Sequence, residues 1–530
     1  MTALDMRSTG TRLRAWADIW TPELLLVLLL VSAAIAVAPL NTDSGWLLVA
    51  ARRVLDGDRL YVDIMEVNPP LVVWLLLPSA WSARYFALAD TTVIAIPVIG
   101  MLVMSVLLAL AVLRRAPALP RMATALSLGA FVIGFGALSM GQAGQRDAMA
   151  GLLLLPYAAS ATRAASGLAM PWSLTITAGL LGGVGIALKP FFLAPWIAIE
   201  LAVALSRRKL AAVVRLETVI VLFAQIAYAT LVWLITPEWL TRIVPLARQT
   251  YGAYGTTIRE VASGYPFDIL LMCGLAGVFS SLGLSTSRVH RTPEVFGAAT
   301  LGFLASYVAQ SKGWFYHSIP ALLFGAATLA ASVEHLVASL RGFRAARPLA
   351  RAASVVLLLI VLVAAKMVAR TVVYSVQAAD TLLRHPYPRT VDMLSDAVEQ
   401  RATGEPIYMF STNLYPAFPV VNRAGATWPY HYGFLWPLPA FYPENGPRGY
   451  RRPEAQSPVE REFFETVVTD LTKHPPRLLI VERAQFKQAL GTRPFDFIEY
   501  FSGSPDFVEL MRRYRRAGYI GSWELFEWAR

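Results

Sequence analysis

The feature that most constrains this chain is a succession of apolar runs, each close to the length that carries a helix across a bilayer. Crossing requires about 20 predominantly apolar residues, because only a helix satisfies its own backbone hydrogen bonds inside hydrocarbon. About eleven runs approach that length, near 22–40, 90–113, 122–140, 148–164, 172–188, 190–206, 212–235, 267–286, 294–310, 318–336 and 352–370. The turns between them alternate in character. With the N-terminus placed inside, the inner turns collect Arg114, Arg115 and Arg121; Arg163; Arg207, Arg208, Lys209 and Arg215; Arg288 and Arg291; and Arg341, Arg344, Arg347 and Arg351. Basic turns on one side are the signature of cytoplasmic loops, and an odd number of spans leaves the C-terminal region outside.

Composition agrees. Of 530 residues, 56% are hydrophobic and only 15% charged, against roughly 25% charged in soluble domains. The net charge of +12 belongs to the first 370 residues, where 29 Lys and Arg face 17 Asp and Glu; beyond Arg370 the two kinds are equal at 18 each. Basic residues confined to short turns between apolar runs describe membrane topology and exclude a nucleic-acid binder, which would carry them as a stripe on a polar fold. The single cysteine, Cys273, excludes an intrachain disulfide.

Composition changes after Arg370. RTVDMLSDAVEQRA and PVEREFFETVVTDLTK have the spacing of amphipathic helices, and IYMF and RLLIV that of short buried strands. FVELMRRYRRAG is expected to be a basic helix, followed by a strand pair over YIGSWELFEW. The expected architecture is an α-helical polytopic membrane protein over residues 1–370 with a soluble α/β domain over 371–530.

The outer loop at 41–89 is charge-dense. Asp43 follows the first span at the start of an expected helix; Trp46, Leu47, Ala50, Ala51, Val54 and Leu55 form one face of it, and the helix is expected to lie flat at the interface. An aspartate there either caps the helix or serves chemistry. Glu66 precedes a Pro-Pro pair in E-V-N-P-P-L, where the prolines fix the start of a second helix, PPLVVWLLLPSAW. Glu66 is open to binding a substrate, orienting Asp43, helping hold a metal, pairing with Arg59 or capping. Asp56, Asp58 and Asp63 read as turn and surface acids. In GQAGQRDAMAG, Asp147 opens the fourth span beside Arg146, its expected partner. The tight ALKPF turn presents Lys189, open to snorkelling or a functional role, and QSKGWFYH gathers Lys312, Trp314, Tyr316 and His317, an interface belt or an anionic head-group site. Arg242, Arg248, Tyr251, Tyr254 and Arg259 in another outer loop are weaker candidates.

An acid directly after the first span, an amphipathic segment and an acid-x-x-Pro-Pro-Leu pattern together resemble the first external loop of GT-C membrane glycosyltransferases, the group that includes protein O-mannosyltransferases and aminoarabinose transferases. The resemblance covers chiefly residues 20–320. It implies a retained N-terminal anchor in place of a cleaved signal peptide, a bacterial inner-membrane location and a polyprenyl-phosphate-linked sugar donor. The implied acceptor is a lipid, glycan or protein on the periplasmic side. Asp43 takes the general-base position, with Glu66 and Asp147 as further acids of the site. Arg146, Lys189, Lys312 and His317 are expected at the donor phosphate, and Trp314 and Tyr316 along the substrate. No cofactor follows from the sequence. A divalent metal stays open, since the histidines show no metal-ligand spacing. The T-D-S-G after the first span departs from the family's usual acidic pair, which leaves the donor sugar undetermined. A lipid or small-molecule transporter, or a non-catalytic assembly subunit of the same fold, are the alternatives. Against the transporter, the chain lacks repeated halves with matched broken helices.

Overall fold

The computed structural model describes residues 22–114, 121–139, 141–282, 290–341 and 343–529. Arg7, Arg12 and Arg14 of the N-terminal stretch, and Arg115 and Arg288 of the basic turns, lie outside the described residues. In chain order the first helices are α1 (Pro22–Ala36), α2 (Thr42–Leu55), α3 (Leu71–Phe86), α4 (Asp90–Arg114), α5 (Arg121–Ser139), α6 (Arg146–Ala165), α7 (Trp172–Ala187), α8 (Leu193–Arg207) and α9 (Leu216–Ile235). Then follow α10 (Val244–Thr250), α11 (Ile258–Ser263), α12 (Tyr265–Leu282), α13 (Thr292–Gln310), α14 (Ile319–Arg341) and α15 (Pro348–Arg384). The remainder is α16 (Arg389–Ala402), β1 (Ile407–Phe410), α17 (Ala417–Ala424), α18 (Leu438–Phe441), α19 (Pro458–Lys473), β2 (Leu478–Glu482), α20 (Phe497–Phe501), α21 (Pro505–Met511), β3 (Tyr514–Ile520) and β4 (Trp523–Trp528).

Among the described residues, five helical stretches are long and apolar enough to cross a membrane: Asp90–Arg114, Pro190–Arg207, Leu216–Ile235, Phe315–Arg341 and Pro348–Arg370. Shorter apolar helices accompany them, including α1, α3 and α7. The chain is a polytopic membrane protein with a small C-terminal sheet. It divides into two compact units, one of residues 1–38, 95–228 and 256–384, the other of 39–94, 229–255 and 385–530. The change in composition after Arg370 falls inside α15, a single helix of 37 residues. At 1.5 Å per residue it is about 55 Å long, well beyond a hydrocarbon core of about 30 Å. The unit boundary follows the end of that helix.

In the first unit α6 is the centre, with every side chain except Ala164 buried. A helix buried on all sides tolerates polar residues only where they find partners. Tyr157 donates to Glu200 at 2.6 Å and Ser160 to Glu217 at 2.9 Å, while Arg215 binds both glutamates at 2.8 Å. These contacts tie α6 to α8 and α9 and were not legible from spacing. On another side α13 packs against α8, where a Cβ on Gly302 would lie 2.3 Å from the Cα of Pro195. Only glycine permits that backbone approach, the close-packed contact typical of helices in lipid.

In the second unit α2 packs against both α3 and α17. Residues Ser44–Ala51 are all buried: α17, from far along the chain, covers the side that α3 leaves open. The strands form one sheet in the order β1-β2-β4-β3. β1 pairs parallel with β2, with Ile407 opposite Leu478; β4 pairs antiparallel with β2 and β3, with a bulge between Arg516 and Gly518. β1 and β2 match IYMF and RLLIV. The expected basic helix stops at Met511, and YRRAG belongs to β3, because Tyr514 and its neighbours pair with β4.

Candidate functional site

Chemistry-bearing side chains gather at one place in each unit. In the second unit the place is the start of α2 and the segment leading into α3. Asn41 caps α2, its side chain accepting from the backbone N–H of Asp43 at 3.0 Å and of Ser44 at 3.4 Å. The capping role considered for Asp43 therefore falls to Asn41, and Asp43 sits half-buried in the first turn, where the helix dipole favours a carboxylate. Glu66 is buried at 3% exposure. It accepts hydrogen bonds from the Trp46 indole and from the backbone and side chain of Asn68, the backbone contact at 2.8 Å. It neither pairs with Arg59 nor caps α3. Arg59 instead pairs with Asp63, Arg53 with Asp58 at 2.7 Å and Arg84 with Asp56 at 2.6 Å.

Trp46 is held from behind by Gly433, where a Cβ would stand 2.8 Å from the indole ring. The segment preceding Glu66 is pinned in turn: Met65 N–H donates to the His431 carbonyl at 2.7 Å, and Trp436 Nε1 to the Met65 carbonyl at 3.2 Å. Arg52 pairs with Asp90, which also accepts from Asn422 at 2.8 Å. Sequence reasoning missed Asn41, Asn68 and Asp90 here, and read Trp46 only as part of an apolar face and not as a donor to Glu66. An asparagine just ahead of an apolar helix was the available signal for the cap; nothing local pointed to Asp90.

In the first unit the place is built by the N-terminus of α6, the turn between α7 and α8, and the turn between α13 and α14. Ser311 ends α13 with φ 51° and Gly313 follows at φ 65°. That reversal leads through Trp314 into a short 3₁₀ turn, Phe315–Ser318, that carries Tyr316 and His317. Ser306 Oγ donates to the Phe191 carbonyl at 2.6 Å and holds this turn against the one carrying Lys189.

Lys189 Nζ donates to Asp147 Oδ2 at 2.6 Å and to Gln310 Oε1 at 2.9 Å, all three side chains buried. The expected pairing of Asp147 with Arg146 is thereby corrected. Adjacent helical positions point their side chains apart, and Lys189 from the next turn reaches the carboxylate. The ammonium also stands 5.6 Å from the Tyr316 ring centre and 5.8 Å from that of Phe192. His317 is buried between Tyr316, ring centres 4.3 Å apart, and Trp314, 5.5 Å apart. Arg146, Lys189 and Lys312 all lie within electrostatic reach of its ring. The four residues expected at a phosphate are thus gathered in one neighbourhood, with Trp314 and Tyr316 beside them. Asp147 Oδ1, Gln310 Nε2 and His317 Nδ1 have no hydrogen-bond partner among the described residues. Burial pushes the Lys312 ammonium down to about 8.

Arg146, Lys189, Lys312 and His317 bring several N–H donors into one poorly hydrated neighbourhood, an arrangement suited to an anion with several acceptor oxygens. Among the described residues no group of three or more His, Cys, Asp or Glu is placed to hold a metal ion.

This architecture is shared with solved structures. Over 97% of the chain and 98% of the solved one, it is similar to ArnT from Cupriavidus metallidurans at 13% sequence identity. The TM-score is 0.54 for the structure bound to undecaprenyl phosphate and 0.55 for the apo state. The archaeal oligosaccharyltransferase AglB from Archaeoglobus fulgidus, in complex with an inhibitory peptide and a dolichol-phosphate, aligns at 11% identity over 93% of this chain and 72% of its own, with a TM-score of 0.43. No family model and no curated protein sequence matches the chain.

Proposed function

We propose that the chain is a glycosyltransferase that moves a sugar from a polyprenyl-phosphate donor to an acceptor on the periplasmic face of a bacterial inner membrane. The observation that carries this reading is the gathering of Arg146, Lys189, Lys312 and His317 in one neighbourhood, with Lys189 held by Asp147, in a fold shared with a protein solved with undecaprenyl phosphate bound. In the proposed reaction Asp43 takes the proton from an acceptor hydroxyl, whose oxygen attacks the anomeric carbon and inverts it. The bond from that carbon to the phosphate oxygen breaks, and the electron pair leaves with the phosphate. Charge-assisted hydrogen bonds from Arg146, Lys189 and Lys312 stabilise the growing negative charge.

Glu66 has the character of a sugar-orienting acid: a carboxylate fixed by Trp46 and Asn68 is held in one rotamer, as positioning requires. Asp147 keeps Lys189 in place. Trp314 and Tyr316 line the substrate, and the C-terminal region selects the acceptor. The test is transfer from a labelled polyprenyl-phosphate sugar by purified protein in lipid, wild type against Asp43→Asn. Loss of a general base lowers the rate by about 10²–10⁴. Transfer that survives the substitution removes Asp43 from that role, and transfer absent with every donor while lipid movement is detected favours a flippase.

A further inference from the structure

One constellation outside this chemistry lies wholly in the second unit. His431 is gripped twice by the buried Asp470: its backbone N–H donates to Oδ2 at 2.8 Å, and its Nδ1 lies 2.7 Å from Oδ1. An ionised carboxylate only accepts, so Nδ1 carries the proton and, in the neutral ring, Nε2 carries the lone pair. The ring is about one-third exposed. It lines a cavity of about 480 Å³ together with Pro458, Arg461, Glu462, Glu465 and Thr469, a size typical of small-molecule sites, which run to about 300–1,000 Å³.

The bonding of the lining residues sorts possible ligands. Glu462 is engaged by Arg242 at 3.1 Å. Arg461 gives Nε and Nη2 to the carbonyls of Pro453 and Glu454, each at 3.1 Å, and its Nη1 has no partner among the described residues. Glu465 likewise has none, and the Thr469 hydroxyl stands at the same rim. The wall therefore offers an imidazole lone pair and a carboxylate as acceptors, a guanidinium N–H as donor, a hydroxyl that serves as either, and the hydrocarbon face of a proline. An anion meets two carboxylates, and a simple amine leaves the guanidinium unmatched. Vicinal hydroxyls satisfy both kinds of group at once. We propose that this cavity binds a neutral polyhydroxylated ligand of the size of one or two sugar rings, with His431 Nε2 accepting from a ligand hydroxyl.

The experiment uses the full-length protein in detergent with no donor lipid, so its outcome is separate from that of the transfer reaction. Binding of neutral mono- and disaccharides is measured by equilibrium dialysis and by the ¹⁵N shift of His431 Nε2, with ethylamine and inorganic phosphate as charged controls. The proposal expects saturable sugar binding and a shift at Nε2. His431→Leu and Glu465→Ala are each expected to weaken it about tenfold, the size of one lost hydrogen bond. Thr469→Trp, an exposed position whose new side chain fills the cavity without touching the His431–Asp470 contact, is expected to abolish binding in a protein that still melts normally. Absence of saturable binding below about 10 mM, binding that Thr469→Trp leaves unchanged, or stronger capture of either charged control overturns it.

Discussion

The ammonium of Lys189 lies 2.6 Å from Oδ2 of Asp147, with both side chains buried. A buried pair draws little net stability from its own attraction, but removing one partner strands the other charge at a cost of about 3–5 kcal/mol. Lys189→Ala or Asp147→Ala should therefore lower the melting temperature sharply. The double variant Lys189→Met with Asp147→Leu should recover most of that loss and still fail to transfer sugar. Thermal melts beside a transfer assay separate the two effects.

Asn41 and Asp43 are close in sequence but do different work, and mutation should split them. Asn41→Ala removes the cap of α2 at a cost of about 0.5–2 kcal/mol and should leave most activity at a permissive temperature. Asp43→Asn keeps the helix start and should abolish transfer while the melting temperature stays within a few degrees. A reversed pattern would identify Asp43 as a structural residue.

Lys312 sets a pH window. Its folded value of about 8 lies below the ordinary value of about 10.4. Between these the unfolded chain holds the proton that the folded chain has lost, so this group's contribution makes stability rise with pH across the window and adds nothing to the slope below it. Phosphate binding favours the charged form, so donor affinity should fall as pH rises above 8, by up to about tenfold per unit. Lys312→Arg, charged throughout, should flatten that profile. Donor-binding titrations from pH 7 to about 10 test both signs.

Gly302→Ala places a methyl 2.3 Å from the Cα of Pro195. The neighbour is backbone and cannot swing away, so α13 and α8 must part. Overpacking of this kind typically costs about 1–3 kcal/mol. Because Ser306 on the same helix holds the Lys189 turn, transfer activity should fall with stability. Gly129→Ala, with nothing within 4 Å of the new methyl, is the matched control and should lower neither.

What was legible from sequence was whatever repeats or announces itself locally. The apolar runs gave the membrane architecture, and IYMF and RLLIV gave β1 and β2. Lys189, Lys312 and His317 stood out as polar residues at apolar boundaries. What escaped was set by distant partners. Lys189 reaches Asp147 across 42 positions, and α17 covers α2 from more than 360 positions away. The extra helical length after Arg370 escaped because hydropathy ends where lipid ends, whereas backbone hydrogen bonding runs on to Arg384. The end of the basic helix at Met511 was missed because arginines suit an exposed edge strand as well as a helix.

The gathering of Arg146, Lys189 and Lys312 in one neighbourhood has a thermodynamic consequence. An anion that binds among these side chains binds the folded protein and not the unfolded chain. Ligand binding to the native state raises stability by RT ln(1 + [L]/Kd), about 2.7 kcal/mol at a hundredfold excess over Kd. The melting point of the purified protein is thus a gauge of occupancy, and the choice of phosphate or of a phosphate-free buffer during purification becomes a variable that selects which molecules survive extraction.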